Sequence, residues 1–222
     1  MNSSQQPMYA ARLREALNDT RPSVRLQAAM AAGTRPDPAD LDVLVEQCAV
    51  EPEFFVRDML TWLLTRLPAS LTVPRLLTEA GSTAAQARSQ ALHTLSKIGD
   101  PRGWAAITPA RLRDSDDDVA RSAWRAAAIL VPPGNEPALA DELVAQLGRG
   151  DRDVQLSLTR ALVALADAAA PALREATAHP DPRVRTHALA TERFREDPDA
   201  GFDLAVAEAL RLDALASVAS ES

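Results

Sequence analysis

Side chains that could do chemistry are few and scattered in this 222-residue chain. It holds three histidines, His93, His179 and His187, and one cysteine, Cys48. His93 has no second histidine at i+3 or i+4, so no helix face offers the paired imidazoles of a zinc site or an acid–base couple. The run Asp114-Ser115-Asp116-Asp117-Asp118 is dense in carboxylates, yet it lacks the glycine and distal glutamate of a calcium loop. It reads as a solvated acidic turn with a helix cap. Cys48 lies among Leu44, Val45 and Val50 and is expected as a small buried hydrophobe. No Gly-rich phosphate loop, Gly-x-Ser-x-Gly, His-Glu-x-x-His or Cys-x-x-Cys is present. The expectation is no catalytic residue, no metal and no cofactor. What remains reads first as a binding surface. Asp58 and Trp62 stand at i and i+4 beside Arg57 and Arg66, and Arg121, Arg125 and Arg160 follow.

These residues need elements to hold them, and the composition says which kind. The chain is 46% hydrophobic but only 4% aromatic. Ala and Leu are abundant, Ala, Leu, Arg and Glu are strong helix formers, and β-branched and aromatic residues are scarce outside scattered Val. This reads as all-α. Sixteen prolines in such a chain belong at helix starts and turns. The net charge is −7, which disfavours DNA and anionic membranes unless basic residues gather on one face. One cysteine allows no intrachain disulfide and suits a reducing compartment. Met1 to Pro7 is polar, and no apolar run approaches 18 residues, so a cytoplasmic protein without membrane contact is expected.

A repeat sets the spacing. Pro22-Ser23-Val24-Arg25-Leu26-Gln27-Ala28-Ala29 shares its pattern with segments anchored at 56, 87, 119, 154 and 184. The gaps between anchors are 32, 31, 32, 35 and 30 residues. Each anchor opens a second helix, preceded by a first helix at 8–18, 39–49, 72–80, 103–113, 136–147 or 169–177. Asp116, Asp151 and Asp181 each stand three residues before an anchor Val, where an N-cap belongs. Helix pairs recurring about every 32 residues make an α-solenoid. The expected organisation is a flexible end at 1–7, a single domain over 8–215 and a flexible tail at 216–222. The repeats are 8–33, 38–67, 71–98, 102–131, 136–167 and 169–195, with a capping helix at 199–215. Val131-Pro132-Pro133-Gly134-Asn135 enlarges the loop between the fourth and fifth.

Asp181-Pro182-Arg183-Val184-Arg185-Thr186-His187-Ala188-Leu189 resembles the second-helix signature of the HEAT-repeat family, and the likeness extends over roughly residues 8–195. The chain is also similar to HEAT-like proteins widespread in actinobacteria. Ala120 and Gln155 replace the arginine that follows the anchor elsewhere. The resemblance implies a right-handed, armadillo-type superhelix of about six helix pairs. It also implies second helices on the concave side and macromolecular binding as the role. HEAT-like DNA glycosylases use such a surface too, with Trp and Asp cradling an alkylated base and basic residues on phosphate. Asp58, Trp62, Arg57 and Arg66 could play those parts here, so this is the alternative function. A role like that of the HEAT-like phycobiliprotein lyases is a more distant one.

With the anchor as position 0, positions 0, +4, +7 and +8 face the core, and +2, +3, +6 and +10 face outward. The outward rows hold Asp58, Met59, Trp62 and Arg66, then Gln90, His93 and Lys97, then Arg121, Arg125 and Arg160, and finally His187. The first half is apolar and aromatic and the second half basic, a composition typical of binding hot spots. Trp62 could instead pack against a neighbouring second helix. Arg57, Arg88 and Arg185 are read as structural, and Trp104 and Trp124 as core. The reading is a monomeric, non-catalytic scaffold or adaptor. It holds a partner protein or peptide bearing acidic and apolar groups, and nucleic acid is disfavoured by charge.

Overall fold

The computed structural model describes residues 6–220, and those residues are helical with no strand. Of the expected flexible ends, 1–5 and 221–222 lie outside the described residues, while 6–7 open the first helix and 216–220 close the last. The chain divides into two compact units, Met1–Ala106 and Ile107–Ser222.

The first unit stacks three helical hairpins. They are α1 (Gln6–Leu17) with α2 (Pro22–Thr34), α3 (Leu41–Val50) with α4 (Phe54–Thr65), and α5 (Ala69–Glu79) with α6 (Ala85–Ile98). First helices α1, α3 and α5 neighbour one another in one layer, and second helices α2, α4 and α6 form the other. The second unit repeats the scheme. Here α7 (Pro109–Leu112), α9 (Glu136–Val144) and α11 (Ala170–Ala176) make the first layer. The second comprises α8 (Asp117–Leu130), α10 (Arg152–Ala164) and α12 (Pro182–Glu196), and α13 (Phe202–Ser220) closes the chain. The fold class is thus the all-α solenoid that the repeat implied.

The helical phase holds as well. Anchors Val56, Ala87, Val119 and Val154 are buried, as are Leu60, Ala91, Ala123 and Leu158 four residues later, and Ala188 four residues after Val184. Burying each such leucine stabilises by about 1.5–3 kcal/mol. Val24 and Val184, in the terminal repeats, are only half-buried. Asp116, Asp151 and Asp181 cap their helices, each accepting a backbone N–H two residues on. Trp124 is fully buried and donates from Nε1 to the Leu112 carbonyl at 2.9 Å, whereas Trp104 is only half-buried.

Two details depart from expectation. The helix expected at 103–113 is a 3-10 turn, Pro101–Ala106, followed by one turn of α7. Pro109 forces Thr108 into an extended conformation and breaks the run there. Pro74 sits inside α5 rather than at a helix start, on the exposed side.

The arginine after the anchor has a specific structural job. In four repeats its guanidinium reaches back to the carbonyls five and six residues earlier, closing the turn between the two helices. Arg25 meets Asp19 and Thr20 at 2.9 and 3.3 Å, and Arg57 meets Glu51 and Pro52 at 2.8 and 2.7 Å. Arg88 meets Ser82 and Thr83 at 3.1 and 2.9 Å, and Arg185 meets His179 and Pro180 at 2.7 and 3.3 Å. Where Ala120 stands instead, Arg149 donates to the equivalent carbonyl, that of Asp114. Gln155 makes a weaker substitute, reaching Gly150 at 3.4 Å. Turn carbonyls shielded from water need such donors.

One of the turn acids is not solvated. Glu51 has no exposure, and its carboxylate accepts from Arg25 Nε and Nη2 at 2.8 and 2.7 Å, from Gln47 at 2.9 Å and from the Glu53 N–H at 3.1 Å. Burial pushes this carboxyl up, but the hydrogen bonds outweigh burial and hold it below the ordinary carboxylate range.

Candidate partner-binding face

In the second unit the outward rows of α8 and α10 meet across a cleft of about 390 Å³. Successive helical turns place Arg121, Arg125 and Ile129 along α8, and Leu156 and Arg160 along α10. Alanines 128, 161 and 164 keep the floor shallow between them. Burial, and then the like charges of Arg121 and Arg160, push the Arg125 guanidinium below its ordinary value. Arg121 lies 3.6 Å from Asp118 on its own helix. Among the described residues Arg160 forms no ion pair. Three of the residues expected on the face are therefore brought together. Ile129 and Leu156 complete the lining. They occupy the same +10 and +2 rows as the expected arginines and so were visible in the repeat pattern, although hydrophobic side chains there had not been counted as ligand-facing.

His187 is a correction. Its place in the +3 row suggested an outward ring, but it is only 2% exposed. The reason is α13, which packs along α12 and covers this part of the row. Phe202 sets its ring edge-on to His187 with centroids 6.1 Å apart. The imidazole Nδ1 accepts from the Gly148 N–H at 3.0 Å, so its proton sits on Nε2, near Thr159 Oγ1 at 3.0 Å and the Gln155 carbonyl at 3.1 Å. Burial lowers its pKa to about 4, against the raising effect of the Gln155 carbonyl. Gly148 has φ +78°, and a Cβ there would stand 3.1 Å from the Val184 nitrogen, so glycine alone permits this approach.

The seating of α13 has a clear chemistry. Phe202, Ala205 and Ala209 are buried against Ala190, with Val206, Leu189, Phe194 and Leu156 packed around them. This is an apolar stripe at i, i+3, i+4 and i+7. Its flanking acids meet arginines of the second helices. Asp203 pairs with Arg152, with Nη2 at 2.8 Å from Oδ2, Glu208 pairs with Arg193 at 2.9 Å, and Asp213 pairs with Arg185, with Nη2 at 3.1 Å from Oδ2.

In the first unit the expected residues spread along α4 and α6. Trp62 is 43% exposed, so its ring is only partly packed against its neighbours. One edge lies on α2, where a Cβ added to Gly33 would come within 2.2 Å of the ring. The guanidinium of Arg66 stacks on the ring, 4.9 Å from its centroid. Met30, Phe54 and Phe55 are also exposed. Asp58 and Lys97 are exposed, while Met59, Gln90 and His93 are half-buried. Arg57 and Arg88 are committed to the turn carbonyls, as their structural reading required. Among the described residues no cluster of three or more His, Cys, Asp or Glu could hold a metal. No single described helix is long and apolar enough to cross a membrane.

Comparison with known proteins adds the following. Residues 3–65 match the family model described as HEAT repeats. No curated protein matches the chain. Among solved structures, an engineered protein from the Northeast Structural Genomics Consortium is similar, at 20% identity, over 88% of this chain and 97% of its own, with a TM-score of 0.46.

Proposed function

We propose that this chain, a HEAT-repeat protein, is a non-catalytic scaffold whose second-helix face holds a helix of a partner protein. HEAT repeats are generally protein-interaction scaffolds. The finer reading rests on one observation, the docking of α13. That helix is a ligand in cis, with an apolar stripe on the second-helix face and acids on its arginines. The cleft between α8 and α10 continues the same chemistry, with Ile129 and Leu156 for the stripe and Arg121, Arg125 and Arg160 for the acids. A partner helix with apolar residues at i, i+3, i+4 and i+7 and an acidic flank fits it. Its acids would face partly desolvated guanidiniums, where charge-assisted bonds are strong.

The test is a fluorescence titration of a labelled helical peptide that copies the apolar stripe and the acid spacing of α13. The expected outcome is saturable binding that Arg125→Glu with Arg160→Glu abolishes while helical content is unchanged. Equal binding to that double variant would refute the assignment of the face.

A further inference from the structure

We infer that the outer side of α13 is a self-complementary surface on which a second copy of this chain docks, with the two α13 helices antiparallel and crossing at Ala207. A helix docked by one face ordinarily keeps polar and charged residues on the other. α13 does not. Its inner side buries Phe202, Ala205 and Ala209. On its outer side Leu204 is 58% exposed and Leu210 is 55% exposed, and the exposed Ala207 lies midway between them. Steps of three residues along an α-helix place these leucines about 60° to either side of Ala207. The three therefore form one exposed apolar strip. The charges that flank the strip are placed just as evenly. Asp203 lies four residues before Ala207 and Arg211 four residues after it, and both are exposed.

That even placement decides the occupant. In an antiparallel pair centred on Ala207, residues equally far from it on the two helices come level with one another. Leu204 of one copy then lies level with Leu210 of the other, and Asp203 with Arg211, each twice over. A parallel pair would instead set like charges side by side, which repel. The ion pairs of α13 point the same way. Its three acids, Asp203, Glu208 and Asp213, each meet an arginine of the second helices. Its one base, Arg211, forms no ion pair among the described residues. The Asp203 side chain stays 72% exposed beside Arg152, and a carboxylate has lone pairs for a second guanidinium. The small Ala207 lets the two backbones approach at the crossing, with the leucines packed on either side. A surface that is its own complement closes at two copies, so a dimer replaces the monomer that the sequence alone suggested.

The experiment is sedimentation velocity of the full chain across the micromolar range. The expected result is a reversible monomer–dimer equilibrium with no larger species. Leu204→Gln and Leu210→Gln should each weaken association about tenfold, because every substitution acts twice across a two-fold pair. Both leucines are more than half exposed, so circular dichroism should show the same helical content as wild type. Raised salt should weaken the wild-type dimer, and Arg211→Glu should remove that dependence. Ala207→Cys should form an interchain disulfide under mild oxidation, since it meets its own copy at the crossing. Leu212→Cys, exposed on another side of α13, should not, and the native Cys48 is buried. A chain that stays monomeric throughout, or that grows beyond the dimer, would overturn the inference. A dimer unmoved by both leucine variants, or Leu212→Cys cross-linking as readily as Ala207→Cys, would also overturn it, by placing the contact on another surface.

Discussion

Glu51→Ala would strip the counterion from a guanidinium that cannot escape to water. Arg25 is 7% exposed and is fixed on its far side by the Asp19 and Thr20 carbonyls. The substitution removes two charge-assisted bonds from Arg25, one from Gln47 and one from the Glu53 N–H, and it leaves a buried charge unpaired. Removing one partner of such a pair costs about 3–5 kcal/mol. For a chain of this length each kcal/mol moves the melting temperature by about 2–4 °C, so the expected fall is about 6–20 °C. Thermal melts followed by circular dichroism give the size of the loss, and amide exchange gives its place, which should be α2, α3 and α4. The double change Arg25→Met with Glu51→Leu should recover part of it, because the charge and its partner leave together while the Asp19 and Thr20 carbonyls lose their donor. A fall worth less than about 1 kcal/mol for Glu51→Ala, or a double variant no better than the single, would refute the argument that this pair carries its desolvation through mutual satisfaction.

Three further outcomes follow from the same physics. His187 has a folded pKa lowered from 6.5 to about 4, so the unfolded chain binds its proton first on acidification. The stability it protects is whole above pH 6.5 and is lost as pH falls towards 4, by about 3 kcal/mol in all. Asp40, raised to about 6 by burial and by Asp37, works in the opposite sense within the first unit. The readout is therefore amide exchange in α10 and α12, whose acid sensitivity His187→Gln should flatten. Gly33→Ala drives a methyl into the Trp62 ring and should destabilise by about 1–3 kcal/mol with a shift in tryptophan emission, and Trp62→Leu should relieve the clash. Cys48 is buried with its thiol pushed up to about 12 by burial, so a disulfide-exchange reagent at pH 8 should label it only at the rate of unfolding; fast labelling of the native chain would contradict its placement.

The solenoid was legible because its signal is repeated. Six anchors at near-constant spacing report one helical phase, and Leu60, Ala91, Ala123 and Leu158 fall on the core side as that phase requires. The aspartate caps were legible because capping is local. The site was only partly legible. Arg121, Arg125 and Arg160 came from the row, but the row says nothing about what covers it. His187 was misplaced because α13 returns along the chain and docks on it, a contact with no trace in the repeat. Nothing local marks Glu51 apart from other acids in turns, and only Arg25 on α2 and Gln47 on α3 make it a buried carboxylate. The repeat spacing called for a helix at 103–113, but Pro109 holds Thr108 extended and that local constraint breaks it.

The central claim is that the α8/α10 cleft selects acidic, apolar helical peptides. Its most direct test is an unbiased display selection of random 20-residue peptides on the wild-type chain, counter-selected on Arg125→Glu with Arg160→Glu. The account predicts enriched peptides with apolar residues at i, i+3, i+4 and i+7 and Asp or Glu alongside, all lost on the double variant. Enrichment of basic or uncharged peptides, or of peptides held equally by both proteins, would contradict it.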